Sequence, residues 1–448
     1  MSLAPGARLP VALAALLLFG ISHAATAATL HVAAGGAGNG AASSPFGRIQ
    51  DAVNAAHPGD VILVEPGTYA EAVRTVRAGT DGAPITVKAA GARGTVIVRG
   101  TGRVLTVAHA YTTVEGLVLD GSYGQDDIVR VSSAGSHFTL RNSEVLRSSK
   151  DGIDMDAPSD VLIEDSLIHH TLNAAGGRTD AHGIVAGAVH GLTISRTEVH
   201  TFSGDAVQMD PRRASPGWSD VVVDGCKLWL APLPNAENGF AAGTVPGENA
   251  IDTKASSALP RARITIRNTE AWGFRNGLIT NMAAFNLKEN IDAVVDGVTV
   301  WDSEIGFRVR GPSERQPAGA VVRIQNVVVH STMTAFRYED DVQNLRIWNA
   351  TVGSGVSNAT QPRNAGKASV DVRNLLVLGS KLPAEASGRS SNRAVGASAF
   401  IDVVKHDYRL AAGSPGIDAG ETIADVARDR LGTVRPRGGA YDVGAFER

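Results

Sequence analysis

Ten segments of the chain repeat one pattern of apolar and polar positions: a short alternating stretch, one bend residue, and a second apolar stretch. Two of them run from Thr112 to Leu119 (TTVEGLVL) and from Phe138 to Val145 (FTLRNSEV). Alternation with a period of two predicts β-strands that bury one face, and it excludes a helical repeat. The segments begin 23 to 43 residues apart, so each repeat has room for one coil of chain and a loop.

The bend position decides which repeat fold is expected. Nine of its ten residues are Gly, Asn or Asp, the residue types that enter the left-handed region at least cost. The ten bend residues are Gly116, Asn142, Asp165, Arg196, Gly225, Asn268, Gly297, Asn326, Asn349 and Asn374. A bend with positive φ once per coil predicts an all-β solenoid, a single-stranded right-handed parallel β-helix in which each coil buries its face against its neighbours.

A solenoid exposes strand edges at its ends, and these must be covered. Near the start of the chain, Ser44 is the predicted N-cap and Pro45 the predicted first residue of a short capping helix. Its apolar positions share one face: Phe46, Ile49, Val53 and Ala56. A predicted strand, Val61 to Val64, follows.

These stretches carry a family resemblance. Residues 44–69 (SPFGRIQDAVNAAHPGDVILVEPGTY) resemble the opening of the pectate-lyase-like β-helix superfamily. Three stretches between residues 407 and 447 (DYRL, SPGIDAG and YDVGAFE) are similar to the closing segment of exported bacterial β-helix proteins. The resemblance covers nearly the whole mature chain. It implies the fold, and it leaves the reaction open because this fold hosts several chemistries.

Composition narrows the function classes. The 42 basic and 45 acidic residues nearly balance, which removes the basic field that a nucleic-acid binder needs. A hydrophobic content of 43% supports a large core and excludes a disordered chain. The single cysteine, Cys226, excludes a disulfide scaffold and is expected to be a buried, inert thiol. We expect a monomer.

The first 28 residues read as a secretory signal peptide. Arg8 supplies the positive end, an apolar run extends from Val11 to Ile21, and small residues follow at 25–27. Eleven apolar residues are too few to span a bilayer. The predicted organisation is a signal peptide at 1–28, a cap with the first coils at 29–110, β-helix repeats at 111–400 and a closing segment at 401–448. A secreted or periplasmic location follows.

Seven coils contain a further alignable strand whose third and fifth residues are almost all apolar and therefore point inward. The fourth and sixth residues then form two outward columns. One predicted column is Asp154, Val185, Gln208, Asp252, Ile279, Arg308 and Arg337. The other is Asp156, Gly187, Asp210, Lys254, Asn281, Arg310 and Glu339. Since adjacent rungs are roughly 4.8 Å apart, Asp210, Asp252 and Lys254 should share one patch.

Segregation of acidic and basic residues along this face suits an acidic polysaccharide as the partner. In β-elimination of a uronate, a cation neutralises the substrate carboxylate so that the adjacent C–H becomes acidic. Clustered aspartate oxygens are the ligands that Ca²⁺ prefers. The predicted calcium ligands are Asp210 and Asp252, with Asp205, Asp156 and Asp154 nearby.

The residues from Glu248 to Lys254 (ENAIDTK) resemble the acidic-then-lysine strand of calcium-dependent polysaccharide lyases. The resemblance implies Lys254 as the catalytic base, with Arg275 in the next coil as a second cationic group. The predicted substrate-binding residues are Arg308, Arg310, Arg212 and Asn281. Two lyase signatures are missing: the consecutive aspartates of the lysine-based pectate lyases, and the glutamate pair of the alginate and chondroitin lyases.

Structural and functional alternatives stay open at this point. Asp210 and Lys254 could form only a surface ion pair. The first position of these strands could simply satisfy turns, as stacked Asn and Asp often do; its residues include Asp151, Asp205, Asn249 and Asn276.

The rival functions are a uronate C5-epimerase, which shares the proton abstraction, a glycoside hydrolase, and a non-catalytic carbohydrate-binding surface protein. A hydrolase would need paired carboxylates, such as Asp154 with Asp156 or Asp210 with Asp252.

Overall fold

Three long parallel sheets make up the molecule in the computed structural model, which describes residues 1–2, 27–174, 180–211, 217–257, 260–314 and 316–448. From Val61 to Arg363, each coil of chain contributes one strand to sheet 1, then one to sheet 2, then one to sheet 3, and pairs in parallel with the coils before and after it. The predicted right-handed parallel β-helix is confirmed. The predicted signal peptide falls mainly on residues 3–26, outside the described ranges. Among the residues described, no helix has the length and apolarity needed to cross a membrane.

Within the described residues, sheets 1 and 2 have thirteen strands each. The strands of sheet 1 are Thr29–Val32, Val61–Val64, Ile85–Ala89, Thr112–Glu115, Thr139–Arg141, Ser159–Glu164, His190–Ser195, Val221–Asp224, Ala262–Arg267, Ile291–Asp296, Val321–Gln325, Asn344–Trp348 and Val370–Arg373. The strands of sheet 2 are Gly67–Ala70, Val96–Arg99, Leu117–Gly124, Glu144–Ser148, Leu167–Thr171, Glu198–Phe202, Lys227–Trp229, Glu270–Trp272, Thr299–Trp301, Val328–Val329, Thr351–Val352, Leu376–Leu378 and Arg393–Val395.

Sheet 3 has eleven strands in the same described ranges. They are Val73–Arg74, Leu105–Val107, Val129–Val131, Ile153–Met155, Ile184–Ala186, Val207–Met209, Ile251–Thr253, Ala283–Leu287, Ile305–Arg310, Thr334–Glu339 and Asn358–Arg363. The remaining elements are the α-helix Ile49–Ala55, the 3₁₀ turns Ala384–Ala386 and Ala397–Ala399, and the antiparallel pair Phe400–Asp402 and Asp407–Leu410.

The bend between sheets 1 and 2 has the predicted conformation in all ten repeats, with φ between 46° at Arg196 and 78° at Gly116. Arg196 is the one bend residue outside the Gly, Asn and Asp set. Its guanidinium extends over the surface and pairs with Asp165 at 2.7 Å and Glu164 at 2.8 Å. The bend therefore recurs as a property of the coil, whichever residue occupies it.

Inward-facing side chains form one continuous core. In sheet 3, Phe285, Phe307 and Phe336 stack on consecutive rungs, with ring centroids 5.2 and 5.6 Å apart. Cys226 is buried, as predicted, and burial raises the pKa of its thiol to about 11.

The outer side of sheet 2 carries a second, partly exposed aromatic column, in which neighbouring rings stack nearly parallel at 4.4 to 5.9 Å between centroids. Its members on consecutive rungs are His169, His200, Trp229, Trp272, Trp301 and His330. Because each ring covers the face of the next, the column leaves mainly ring edges to solvent.

The capping helix exists, but its predicted start at Pro45 is wrong: it begins at Ile49. Its first backbone N–H groups, those of Ile49 and Gln50, donate to the Glu71 carboxylate at 2.8 and 3.1 Å. A distant glutamate thus satisfies donors that a local Ser cap would otherwise serve. Ile49 and Val53 are buried over the first coils, as expected.

The closing segment packs along the outside of the last coils. Arg435 and Glu447, both wholly buried, form an ion pair at 2.7 Å. The Asn349 amide donates to the carbonyls of Asp442 and Gly444, at 3.3 and 3.4 Å, which ties the segment to the bend column.

Candidate functional site

The predicted strand from Asn276 to Asn281 is wrong, and the sheet-3 strand of that coil is Ala283–Leu287. Asn276 and Asn281 have positive φ values of 54° and 62°, so they turn the chain where a strand would extend it. Asn281 nevertheless lies near the charged face, since its Oδ1 accepts from Arg337 Nη1 at 2.7 Å.

The register of the observed strand changes both outward columns. Asn286, paired with Asp252 and with Arg308, takes the place predicted for Ile279, and Lys288 takes the place predicted for Asn281. Column A, as we name it, is Arg130, Asp154, Val185, Gln208, Asp252, Asn286, Arg308 and Arg337. Column B, two residues further along each strand, is Asp156, Gly187, Asp210, Lys254, Lys288, Arg310 and Glu339.

Two lysines on adjacent rungs of column B pair with different carboxylates. Lys254 Nζ lies 3.7 Å from Asp210 Oδ2, and these side chains are 41% and 33% exposed. Lys288 Nζ donates to Asp252 Oδ2 at 2.7 Å, and this pair is less exposed, at 21% and 5%. The predicted neighbourhood of Asp210, Asp252 and Lys254 therefore exists, and it contains a lysine that sequence reasoning missed.

Two buried acceptor oxygens lie side by side in column A. Asp252 Oδ1 and Asn286 Oδ1, on paired residues, accept no hydrogen bond from the part of the chain that the structure describes. Burial, followed by the charge of the nearby Asp205, raises the pKa of Asp252 to about 6. These two oxygens are acceptors that a cation or a substrate hydroxyl could use.

Asp205 belongs to a buried polar ladder at the starts of the sheet-3 strands. Asp151 Oδ1 accepts from the His182 N–H at 2.9 Å, and His182 Nδ1 accepts from the Asp205 N–H at 2.8 Å. Asp205 Oδ1 accepts from the N–H and the amide of Asn249 at 3.2 and 2.7 Å, and Asn249 Oδ1 accepts from the Ala283 N–H at 3.2 Å. Each of these side chains accepts a hydrogen bond from a backbone N–H near the start of the sheet-3 strand in the next coil. This is the turn-satisfying role that the structural alternative predicts, and Ala283 takes the place expected for Asn276.

The acidic end of the face is neutralised by an arginine. Arg130 pairs with both Asp154 and Asp156 through its two terminal nitrogens. The two carboxylates lie on one rung, two residues apart, and Asp154 is nearly inaccessible whereas Asp156 is 39% exposed. Neither carboxylate therefore faces the groove as an uncompensated charge.

One acidic triad among the described residues has ligand atoms close enough for a metal ion: Asp127, Asp151 and Asp154 offer oxygens within 4.8 Å of one another. All three are buried. Asp127 also pairs with Lys150 at 3.0 Å and with Arg103 at 3.3 Å. Of the predicted calcium ligands, only Asp154 belongs to this triad; Asp156, Asp205, Asp210 and Asp252 lie outside it.

A groove lies between the acidic rungs and the lysine pair. Its volume is about 290 Å³, and its wall includes Asp154, Asp156, Val185, Gly187, Asp210 and Pro211. A Cβ at Gly187 would lie 2.3 Å from the carbonyl oxygen of Asp156, so only glycine fits there. The small side chains on this rung create the groove, and Asp210, which is also in its wall, pairs with Lys254.

The basic end of the face gathers three arginines. Arg308 forms two 3.0 Å hydrogen bonds with the Glu339 carboxylate, and Arg337 pairs with the same group at 2.5 Å. Arg310 lies 3.6 Å from Glu289 and 3.9 Å from Glu339. The predicted Arg308 and Arg310 are thus adjacent, whereas Arg212 lies outside the described residues.

Arg275 lies in the turn between sheets 2 and 3. Its Nη1 pairs with Asp302 Oδ1 at 2.9 Å, on the corresponding turn of the next coil. Both side chains are about half exposed. Arg275 is thus paired with Asp302, and its role as a second cationic group stays a prediction.

No protein-family model matches the sequence, and no curated protein matches it either. Solved structures do. Pectate lyase Pel9A superposes with a TM-score of 0.53 at 19% identity, over 94% of this chain and 97% of that one. A rhamnogalacturonan lyase superposes with a TM-score of 0.58 at 14% identity, over 91% of this chain and 99% of that one. The chain has the parallel β-helix fold of these two lyases. The resemblance drawn from the sequence is confirmed for the fold.

Proposed function

We propose that this protein is an exported polysaccharide lyase, a carbon–oxygen lyase that cleaves a uronate-containing polysaccharide by β-elimination. The observation that carries the proposal is the lysine pair in column B, next to the groove. Lys254 is open to solvent beside Asp210, and Lys288 lies one rung away. A base and a second cation on neighbouring rungs suit a sugar whose reacting C–H is adjacent to its carboxylate.

In this mechanism the substrate carboxylate binds toward Lys288 and Arg310, whose charges stabilise the negative charge that develops on it. Lys254 in its neutral form removes the proton from the carbon next to the carboxylate. The electron pair of that C–H bond forms a carbon–carbon double bond, the C–O bond to the neighbouring sugar breaks, and the departing oxygen takes a proton from water. The hydroxide that remains then takes the proton held by Lys254, which restores both water and the base. The products are an unsaturated uronate end and a new hydroxyl end.

We also propose that the acidic triad binds Ca²⁺. Three closely spaced carboxylates are an oxygen-only donor set of the type that calcium prefers. When bound, the ion would supply positive charge for a substrate carboxylate at the far end of the groove. Asp154 lies three rungs from Asp252, roughly 14 Å, so proton removal beside Lys254 would depend on the lysines and arginines of the chain itself.

The test is ultraviolet absorbance during incubation of the mature protein with a panel of polyuronates, with calcium and then with chelator. We expect absorbance from the conjugated unsaturated product, and a loss of about 10²–10⁴-fold in rate in Lys254→Ala with binding retained. Lys227→Ala, an exposed lysine of sheet 2, is the matched control and should leave the rate unchanged.

Other outcomes would favour the rival functions. A flat trace with exchange of the uronate C–H against solvent would indicate a C5-epimerase, and saturated fragments would indicate a hydrolase acting through paired carboxylates. Binding without turnover would indicate a surface binder in which Lys254 and Asp210 form only an ion pair. Each of these results would overturn the lyase. A secreted or periplasmic location is part of the proposal, and it is tested by fractionating cells and sequencing the mature N-terminus.

A further inference from the structure

The closing segment and the outer side of sheet 2 enclose a groove that is separate from the one on sheet 3. Its volume is about 450 Å³, within the range of small-molecule binding sites. Sheet 2 contributes Glu270, Thr299 and Trp301 to its lining, and the closing segment contributes Arg430 and Phe446. We call it the sheet-2 groove. It combines a carboxylate, a guanidinium and aromatic carbon in one depression.

The carboxylate of Glu270 has lost a partner that an equivalent glutamate keeps. Glu198 also begins a sheet-2 strand, and its Oε1 accepts from Trp229 Nε1, in the third residue of the next strand, at 2.7 Å. Trp301 stands in that relation to Glu270. In the part of the chain that the structure describes, however, no hydrogen bond joins these two side chains and no ion pair uses the Glu270 carboxylate. An acceptor and an indole donor are therefore both available in the groove.

Arg430 enters the groove from the closing segment. Its Nη1 donates to the carbonyl oxygen of the bend residue Gly297, which orients the guanidinium. Its Nε and Nη2 donate to no group within the described ranges, and no ion pair within 4 Å holds it there. Burial lowers the pKa of Arg430, and the charges of Glu270 and Asp296 raise it, so the cation has lost water without gaining a bonded anion. Its Nε–Nη2 edge is a fork that fits a carboxylate.

We propose that the sheet-2 groove binds a uronate unit of a polysaccharide, with the sugar carboxylate on Arg430 and sugar hydroxyls on Glu270. An ionised carboxylate only accepts hydrogen bonds, so Glu270 suits hydroxyl donors. The opposite orientation would bring two carboxylates together. The C–H groups of the sugar would pack against Phe446 and the edge of the Trp301 ring. A neutral sugar would leave the Arg430 fork without an anion, so the groove should prefer the acidic one.

The choice of a uronate over another hydroxy acid rests on the proposed function, whereas binding in the sheet-2 groove requires no lyase chemistry. Because Lys254 lies on sheet 3, a sugar bound beside Arg430 does not occupy the proposed catalytic position. A long polysaccharide held on sheet 2 would stay near the protein between cleavages, which raises the effective concentration of its other units.

The experiment labels the mature protein with 5-fluorotryptophan and follows its ¹⁹F spectrum as galacturonate is added, with galactose as the neutral counterpart. Trp301 reports on the sheet-2 groove. Trp218 reports on the sheet-3 site, because its Nε1 donates to the Lys254 carbonyl at 2.7 Å. Substituting each tryptophan by phenylalanine identifies its signal. We expect a saturable shift of the Trp301 signal with galacturonate, and a much smaller one with galactose.

Variants of the closing segment test the role of the guanidinium. Arg430→Met should weaken the binding that the Trp301 signal reports by about 10–100-fold, the effect of losing a hydrogen-bonded charge. Arg430→Lys keeps the charge without the fork and should bind with an intermediate affinity. The matched control is Arg428→Met, at an exposed arginine whose Nη1 donates to the Gly432 carbonyl at 2.8 Å. This variant should bind as the wild type does.

An unchanged Trp301 signal, equal shifts with galactose and galacturonate, or equal affinities of the wild type and Arg430→Met would overturn the proposal. A shift confined to Trp218 would overturn it while leaving the lyase in place. A galacturonate-specific shift at Trp301 in a protein without turnover would support the groove and count against the lyase. The ligand-free ¹⁹F spectra show whether the variants fold. If Arg430→Met does not fold, the comparison of the two sugars in the wild type decides.

Discussion

Lys288 Nζ donates to Asp252 Oδ2 at 2.7 Å across one rung of sheet 3, and this carboxylate is nearly buried. Lys288→Met would leave a buried carboxylate without its cation. We expect the free energy of unfolding to fall by about 2 kcal/mol, less than for a fully buried pair because the lysine is partly exposed. Urea unfolding of the wild type and the variant measures this difference in the free energy of unfolding.

The control for this prediction is a double-mutant cycle. In an Asp252→Asn background the carboxylate is absent, so Lys288→Met should have little effect on the free energy of unfolding. An equal loss in both backgrounds would show that the lysine stabilises the fold by packing alone.

The acidic triad predicts a pH dependence of stability in metal-free buffer. Burial raises the pKa of Asp151 to about 6, against about 4 in the unfolded chain. Between these values the folded protein holds a proton that the unfolded chain has lost, so the free energy of unfolding falls as pH rises from 4 to 6 and is level above. Asp151→Asn keeps the acceptor for His182 and never ionises. We expect the variant to match the wild type at pH 4 and to exceed it by about 1–3 kcal/mol at pH 8. Parallel curves would contradict this.

Calcium should reverse the effect of the same substitution. If the triad binds Ca²⁺, the ion adds about 2.7 kcal/mol to the wild type at a concentration of a hundred times its Kd. Asp151→Asn removes one of the three carboxylates and should gain much less. Thermal unfolding with calcium and with chelator measures both. An identical shift in the two proteins would exclude the triad as the calcium site.

The bend residues predict a conformational penalty that is independent of contacts. Gly225 has a φ of 65°, and a Cβ there would meet Arg196 Cγ at 3.5 Å and Arg196 N at 3.9 Å, both ordinary contacts. Gly225→Ala should therefore cost about 1–2 kcal/mol, and Gly225→Asn less, because Asn tolerates this region. Gly379→Ala, at a glycine without a positive φ and with equal space, is the control and should be neutral. Equal effects of the two alanine substitutions would disprove the conformational explanation.

The closing segment should detach when its buried ion pair is broken. Arg435→Met leaves the Glu447 carboxylate buried and unpaired, which we expect to cost about 3–5 kcal/mol. Limited proteolysis should then cut within residues 420–448 before the coils are attacked. Arg437→Met, at an exposed arginine two residues away, is the control. Unchanged resistance in Arg435→Met would show that other contacts hold the segment.

The fold could be predicted because the coil needs one rare conformation at a fixed place. Gly116 and Asn374 lie in the first and the last of the ten repeats, yet both adopt the same left-handed backbone conformation. The sheet-3 strand at Ala283 was missed because the turn before it is longer than in the next coil. Asn276 stands as far after Trp272 as Ile305 stands after Trp301, so spacing favoured the wrong segment.

The signal for the correct strand was present in the residues themselves. Residues 283–288 (AAFNLK) have the pattern of residues 249–254 (NAIDTK), with an apolar third position and a lysine at the sixth. The left-handed residue inside three consecutive sheet-2 strands had no such signal. Arg147, His170 and Thr201 all have positive φ, where alternation predicts an extended strand.

The stacked indoles on sheet 2 make the spacing of three consecutive coils measurable by circular dichroism. Trp229, Trp272 and Trp301 lie nearly parallel, with centroids 5.7 and 4.5 Å apart. At such distances the electronic transitions of neighbouring indoles couple, so the near-ultraviolet circular dichroism of the protein carries an exciton signal from three consecutive coils. A pull along the solenoid axis that separated these coils would extinguish this signal while the backbone signal of the other coils persisted.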